Sequence, residues 1–433
     1  QSGNPEEMFR LNNQPFEFNA EDIDVVLVSH AHFDHCSGLG LLVKRGFKGK
    51  IICTQATSEF MAINLRDSAK IMREDAFRIK RSKPSSKIDP LYDDTDVDSV
   101  ITMTRGYDFD QKIDLSKDVS VIFRRAGHML GASIIHITYK DGNKNKTLAY
   151  TGDTSAMRSK PFLPIADPLG NISSLVLEAT YGNKVHEKDN IVEALTEAIK
   201  TTCIQNKKPI LIPSFALQRS SEILWMLREV YMQNPEFHRI PIFLDSPMSV
   251  LSQSVVDNNR EFWGEKWIER DKELGNLFEW NVINYIENHK ESENLNTKDP
   301  MIIVSSSGML TSGRVLMHLE NILKQKGCRI IMVGYQAEST LGRRLLDTEC
   351  KSLSVNRRPV TIRATIQQIN MSSHADKNQL VEYVKSSTKG TLNTIYINHG
   401  DEEACKSLKE ELELHFKKVE VIIPRYKEEF ILR

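Results

Sequence analysis

Residues 30–35 read His-Ala-His-Phe-Asp-His, three histidines and one aspartate in six positions. Imidazole nitrogen and carboxylate oxygen are donors that zinc and related divalent cations accept. In an extended segment His30 and His32 leave the backbone on one side and can grip a single cation together. Asp34 and His35 then lie past the bend and face a neighbouring position, so two adjacent metal sites are the economical reading. A zinc ion wants about four ligands, so the string is incomplete by itself. Further donors stand beside glycine in polar loops: His128 in RRAGHMLGAS, Asp153 in YTGDTS and His399 in YINHGDEE. An aspartate such as Asp153 can give one oxygen to each of two cations. His136, His186, His238, His289, His318 and His415 stand alone and are read as surface or hydrogen-bonded histidines.

Such donors need rigid supports, and the surrounding pattern supplies them. DVVLVSH (24–30), KTLAYTGD (146–153) and SSLVLEATYG (173–182) each read as a buried strand running into a polar loop. From about residue 190 strands alternate with helices: IVEALTEAIKTTCIQ, PILIPSF, SSEILWMLREVYMQ, IPIFLD, MIIVSSSG, GRVLMHLENILKQK and RIIMVGYQ. That rhythm predicts a mostly parallel sheet in a second domain of an α/β protein. Residues 81–100, polar and with two prolines, read as an exposed insertion.

A chain of 433 residues is long for one core, so two domains are expected. With 57 Lys+Arg against 58 Asp+Glu the net charge is −1, and a polyanionic partner would need a local basic groove. Arg124, Arg125, Arg219, Arg314, Arg343, Arg344 and RIKRSK (78–83) are the candidates for it. The six cysteines are scattered without CxxC pairs and read as thiols in packed sites of a reducing compartment. No apolar stretch reaches membrane-span length and QSGNPEEMF is polar, so the expected location is cytoplasmic, with no membrane partner and the nucleus still open.

HAHFDH, AGHMLGAS and YTGD resemble motifs two, three and four of the metallo-β-lactamase superfamily. LEATYG, SSHAD and INHG, in that order, resemble motifs A, B and C of its β-CASP branch, the nucleases of RNA processing. PSFALQR, LDSPM, SSSGMLTSGR and VGYQAESTLGRR also look like β-CASP landmarks, so the likeness runs through nearly the whole chain. The fold it implies is an αββα metallo-β-lactamase sandwich, residues 1–184 and 369–433, with an inserted mostly parallel α/β β-CASP domain, residues 185–368. The active site is expected in the cleft between the two, open to a single strand and closed to a duplex.

Carried over, the resemblance has His30, His32 and His128 hold one Zn²⁺, or Mn²⁺ or another divalent ion, and Asp34, His35 and His399 a second, with Asp153 bridging. The pair would turn water into a hydroxide aimed at phosphorus. His374 would be the general acid, oriented by Glu178, with Asp34 counted among the catalytic groups. Ser372, Ser306, Ser307 and Gly308 are the expected substrate-phosphate contacts. The family's motif-one aspartate has no counterpart, and the resemblance places it ahead of QSGNPEE. Motif C carries histidine in RNA-directed members and typically valine in DNA-directed ones, so His399 favours RNA, and with the cleft open to a single strand the expected substrate is single-stranded RNA, with internal cutting and cutting from a 5′ end both open. The alternatives are a non-catalytic RNA-binding scaffold, a DNA-directed nuclease and, third, a thioester or lactam hydrolase. A homodimer is open as an assembly.

Overall fold

The computed structural model describes residues 12–82, 89–156, 162–186, 190–390 and 392–432. The chain divides into two compact units, one of Pro15–His186, Glu261–Lys266 and Ser373–Arg433, the other of Gln1–Gln14, Glu187–Arg260 and Trp267–Ser372.

The first unit is built on two sheets. Three parallel strands, Val25–Leu27, Lys50–Thr54 and Thr104–Tyr107, form the smaller one. The larger has seven strands in the order Glu420–Ile422, Thr394–Asn398, Ser174–Glu178, Lys144–Tyr150, Ser133–Asp141, Val119–Arg125 and Lys112–Asp114. Its first four strands pair parallel and the rest antiparallel. Ile52 of the small sheet packs with Ile113, Val121, Phe123 and Ile135 of the large one, with Val25 and Leu27 against them, so an apolar layer holds the sheets face to face. The helices Gln55–Ser82 and Asp94–Met103 cover the small sheet, and Glu402–His415, with Lys377–Ser387 packed beside it, covers the large one. The result is the αββα sandwich.

Here the reading of residues 81–100 as an exposed insertion is corrected for its second half, residues 92–100. Asp93 and Asp96 form a capping box that starts the helix Asp94–Met103, and Tyr92, Val97 and Val100 are buried beneath it. The acidic run that looked like solvated loop faces the long helix instead, where Arg66 pairs with Asp98 and Arg73 with Asp94. Residues 83–88, which include the end of RIKRSK, lie outside the described residues.

The second unit carries a six-stranded, wholly parallel sheet in the order Ile283–Tyr285, Ile242–Asp245, Ile302–Ser305, Ile210–Pro213, Arg329–Met332 and Thr365–Gln368. Its central strands ILIP and IIVS are buried at every position, as expected when helices cover both faces of a parallel sheet. All six cysteines are free thiols, five of them buried. Among the described residues no helix is long and apolar enough to cross a membrane.

Candidate metal centre

The histidine-rich stretch begins where the strand Val25–Leu27 ends, and the chain is then bent by a short helix, Phe33–Cys36, with His32 at its N-cap. Its single turn brings His35 to the other oxygen of Asp153, with the His35 ring centroid 4.0 Å from that of His30. Asn64, buried on the long helix, donates to the Ala31 carbonyl at 2.9 Å and pins the turn between the two histidines. Ser29 Oγ lies 3.2 Å from His30 Nδ1. Asp153 follows the strand Lys144–Tyr150 across Gly152, whose φ of +52° and close approach to Ser29 Cβ leave no room for a side chain.

Asp153 sits at the centre, 2 % exposed, and its two oxygens face different groups. Oδ2 lies 3.4 Å from His30 Nε2 and 3.6 Å from His128 Nε2. Oδ1 lies 3.3 Å from His35 Nε2 and 3.2 Å from His399 Nδ1. His128 Nε2 is in turn 2.9 Å from His32 Nδ1, and His399 Nε2 is 3.1 Å from His35 Nε2 and 3.3 Å from Asp34 Oδ2. Three donor groups result, His30, His32, His128 with Asp153, Asp34, His35 with His399, and Asp153 with Glu178 and His374, the ligand atoms of each within 4.8 Å of one another.

The residues fit a bound cation. His30 Nε2, His128 Nδ1 and Asp153 Oδ1 are buried polar atoms without a hydrogen-bond partner. Such atoms cost about 1–3 kcal/mol each when left unsatisfied, and a cation would satisfy them together. Burial, with the nearby His35 charge, pushes His30 below its ordinary range, and burial with the His30 charge brings His32 to about 3. Burial and the His374 charge push His128 down likewise. Against burial, the His374 and His30 charges hold the Asp153 carboxyl well below the usual carboxylate range. Neutral imidazole and ionised carboxylate are the forms that ligate.

His374 stands beside this cluster with Nε2 3.7 Å from Asp153 Oδ2 and Nδ1 2.9 Å from Glu178 Oε2. Burial would lower its pKa, but the Glu178 and Asp153 charges outweigh it and raise the imidazole above its ordinary value. Glu178, at the end of the strand Ser174–Glu178, also accepts from the backbone N–H groups of Thr154 at 2.6 Å and Thr180 at 3.3 Å, which fixes both its oxygens. His186, read from sequence as solitary, lies with Nε2 3.2 Å from the His374 carbonyl, and its backbone N–H donates to Asp376. The structure therefore brings together His30, His32, Asp34, His35, His128, Asp153, Glu178, His374 and His399.

The remaining candidates stand differently. Ser372, Ser306, Ser307 and Gly308 belong to the other unit. There the Ser306 hydroxyl meets Ser246 Oγ at 2.5 Å, and Ser307 Oγ accepts from the Thr311 backbone N–H at 3.0 Å. Arg314 pairs with Asp245, Arg219 with Glu222, and Arg124 and Arg125 with Asp110. Arg343 and Arg344 are exposed on the short helix Leu341–Leu345.

Comparison with known proteins bears on this arrangement. The chain matches the sequence models of the metallo-beta-lactamase superfamily over residues 11–185, the Beta-Casp domain over 220–345 and a Zn-dependent metallo-hydrolase RNA specificity domain over 359–424. It is 30 % identical over 403 residues to Ribonuclease TTHA0252 of Thermus thermophilus, covering 92 % of this chain and 86 % of that one. The chain belongs to the β-CASP branch of the metallo-β-lactamase superfamily. Two further β-CASP relatives are larger. Transcription termination factor FttA of Methanocaldococcus jannaschii is 28 % identical over 93 % of this chain, which spans 62 % of its length. Cleavage and polyadenylation specificity factor subunit 3 of Dictyostelium discoideum is 27 % identical over 94 % of this chain, which spans 50 % of its length.

Two supports of this β-CASP site were not legible in advance. Ser29 and Thr180 each place a hydroxyl on a ring nitrogen, of His30 and His399 respectively. A serine before a histidine and a threonine after a strand are too ordinary to signal that service.

Proposed function

We propose that this chain is a zinc-dependent ribonuclease that hydrolyses the phosphodiester bonds of single-stranded RNA. As a β-CASP metallo-β-lactamase it is a metal-dependent hydrolase, and relatives named as a ribonuclease and as RNA-processing factors point its activity to RNA. The observation that carries the finer reading is the division of the Asp153 carboxylate, one oxygen toward His30 and His128 and the other toward His35 and His399.

His30, His32 and His128 would hold one cation, Asp34, His35 and His399 the other, and Asp153 both. When bound, the cations supply Lewis acidity, which makes water nucleophilic near neutral pH and offsets negative charge on the phosphoryl oxygens. The chain's own residues do the rest. Glu178 takes the Nδ1–H of His374, which leaves the proton on Nε2 as the one available to the leaving oxygen. Against burial, the Glu178 and Asp153 charges raise the His374 pKa, the direction a general acid needs. Backbone donors from Thr154 and Thr180 stop Glu178 from turning away.

Matched RNA and DNA strands, given to the zinc-loaded chain, test the reading. Cleavage of RNA with DNA spared supports it, and equal cleavage of both refutes the RNA assignment. A 5′-labelled linear RNA run against its circular form separates internal cutting from 5′ exonucleolysis. A chain that binds RNA and zinc but never cuts would be the scaffold instead.

A further inference from the structure

The donor group of His399 is held in a conformation it would not adopt alone. His399 has a φ of +54°, a left-handed backbone that costs a side-chain-bearing residue energy and persists only where the surroundings impose it. The strands Ser174–Glu178 and Thr394–Asn398 lie side by side, with Glu178 opposite Asn398, and their exits are stitched together. The Ala179 backbone N–H donates to the His399 carbonyl at 3.3 Å. Gly400 presses on Ala179 so closely that a Cβ there would come within 2.5 Å of the Ala179 carbonyl oxygen. Thr180, half-buried, completes the seam: its Oγ1 donates to the His399 carbonyl at 3.3 Å and lies 3.2 Å from His399 Nδ1.

A threonine hydroxyl has one proton. With that proton on the carbonyl, Oγ1 meets the ring only as an acceptor, so Nδ1 carries hydrogen and the lone pair falls on Nε2. Nε2 is the atom that faces the donor cluster, 3.1 Å from His35 Nε2 and 3.3 Å from Asp34 Oδ2. The other acceptor near Nδ1, Asp153 Oδ1 at 3.2 Å, makes no hydrogen bond with it. At His30 a hydroxyl likewise meets the ring, with Ser29 Oγ 3.2 Å from Nδ1 while Nε2 faces Asp153 Oδ2 at 3.4 Å. Metal-bound histidines depend on such partners to fix ring orientation and tautomer.

We propose that Thr180 is the positioning residue of the second metal site: its hydroxyl locks both the strained backbone and the Nε2-ligating tautomer of His399, and so sets the affinity of that site alone. This rests on the reading of the pocket as a two-cation centre. It assigns motif A a second task beyond presenting Glu178, since Glu178 serves His374 and Thr180 serves His399 from the same two-residue step.

The test is metal binding by the full chain, stripped and then titrated with Zn²⁺ under competition with a chromophoric chelator, and separately with Co²⁺ while the visible spectrum is read. The wild type should take two equivalents. Thr180→Val, which keeps the branched shape and removes the hydroxyl, should keep the first equivalent at wild-type affinity and weaken the second about 10–100-fold. The cobalt bands of the second equivalent should shift, and Thr180→Ser should restore both readings. The intact first equivalent reports that Thr180→Val has folded, and Thr180→Ala serves in its place if it has not. Two equivalents bound by Thr180→Val with wild-type affinity and spectrum would overturn the assignment, as would a Thr180→Ser variant no better than valine. A wild-type chain taking fewer than two equivalents would instead refute the two-cation reading on which the assignment stands.

Discussion

Each unit carries a buried histidine–aspartate cluster at the carboxyl end of a parallel strand, yet the two are finished differently. In the β-CASP unit Asp245, fully buried, accepts from Arg314 Nη1 at 2.8 Å and from the Ser292 hydroxyl, and lies 2.5 Å from His318 Nε2. Both oxygens of the carboxylate have partners, and among the described residues only His318 Nδ1 of that group lacks one. Around Asp153 the same residue types leave three buried atoms on three residues unanswered. Composition does not separate a ligand pocket from a structural knot. The two clusters differ in how many buried polar atoms go unmet, one at Asp245 against three at Asp153, and each unmet atom is a cost that a bound cation would remove.

The largest expected effect breaks the centre outright. Asp153→Ala removes the group common to both donor sets, so elemental analysis should find no tightly bound zinc and cleavage should fall to background. Zinc retained at two equivalents would contradict the bridging role. Next, His374→Ala should lower turnover by about 10²–10⁴, the usual worth of a positioned general acid, while zinc content stays at wild-type level. Single-turnover rates with metal assayed in parallel decide this, and an unchanged rate rejects the acid assignment.

Asp245→Ala sharpens the contrast from the other side. It strands Arg314 and His318 without their carboxylate and should cost about 3–5 kcal/mol in denaturant unfolding, with zinc stoichiometry unaltered. A smaller effect follows from acid. Burial alone would raise the Asp245 pKa, but hydrogen bonds from His318, Arg314 and Ser292 bring it below the ordinary value. A folded pKa below the unfolded value of about 3.9 means that the contribution is complete above that pH and fades as acid protonates the carboxylate. The stability gap between wild type and Asp245→Asn should therefore narrow below about pH 4, and a gap independent of pH would show that the charge contributes nothing.

Much of the centre could be read from residues because its chemistry demands unusual ones. His30, His32, Asp34 and His35 form a string with no structural use, and Asp153, His128 and His399 each announce themselves beside glycine at a strand end. The parallel sheet of the β-CASP unit was equally plain, since runs such as IIVS and RIIM suit a strand buried on both faces. What escaped was carried by commonplace side chains. The helix Asp94–Met103 offers Val97 and Val100 as its buried positions amid acids, too thin an apolar stripe to outweigh the polarity of its neighbours. Asn64, Ser29 and Thr180 act through single polar atoms whose partners lie elsewhere in the chain, and no periodicity encodes that. The partners of Arg314 and Arg219, Asp245 and Glu222, were likewise invisible until the fold supplied them.

The seam between Ser174–Glu178 and Thr394–Asn398 has a temporal consequence. Two stretches of chain that touch residue for residue are made more than two hundred residues apart, so His399 leaves the ribosome long after its companions Asp34 and His35. A partly synthesised chain can assemble one half of the centre and must wait for the other. The donor set of Asp34 and His35 is thereby completed later in synthesis than the one formed by His30, His32, His128 and Asp153.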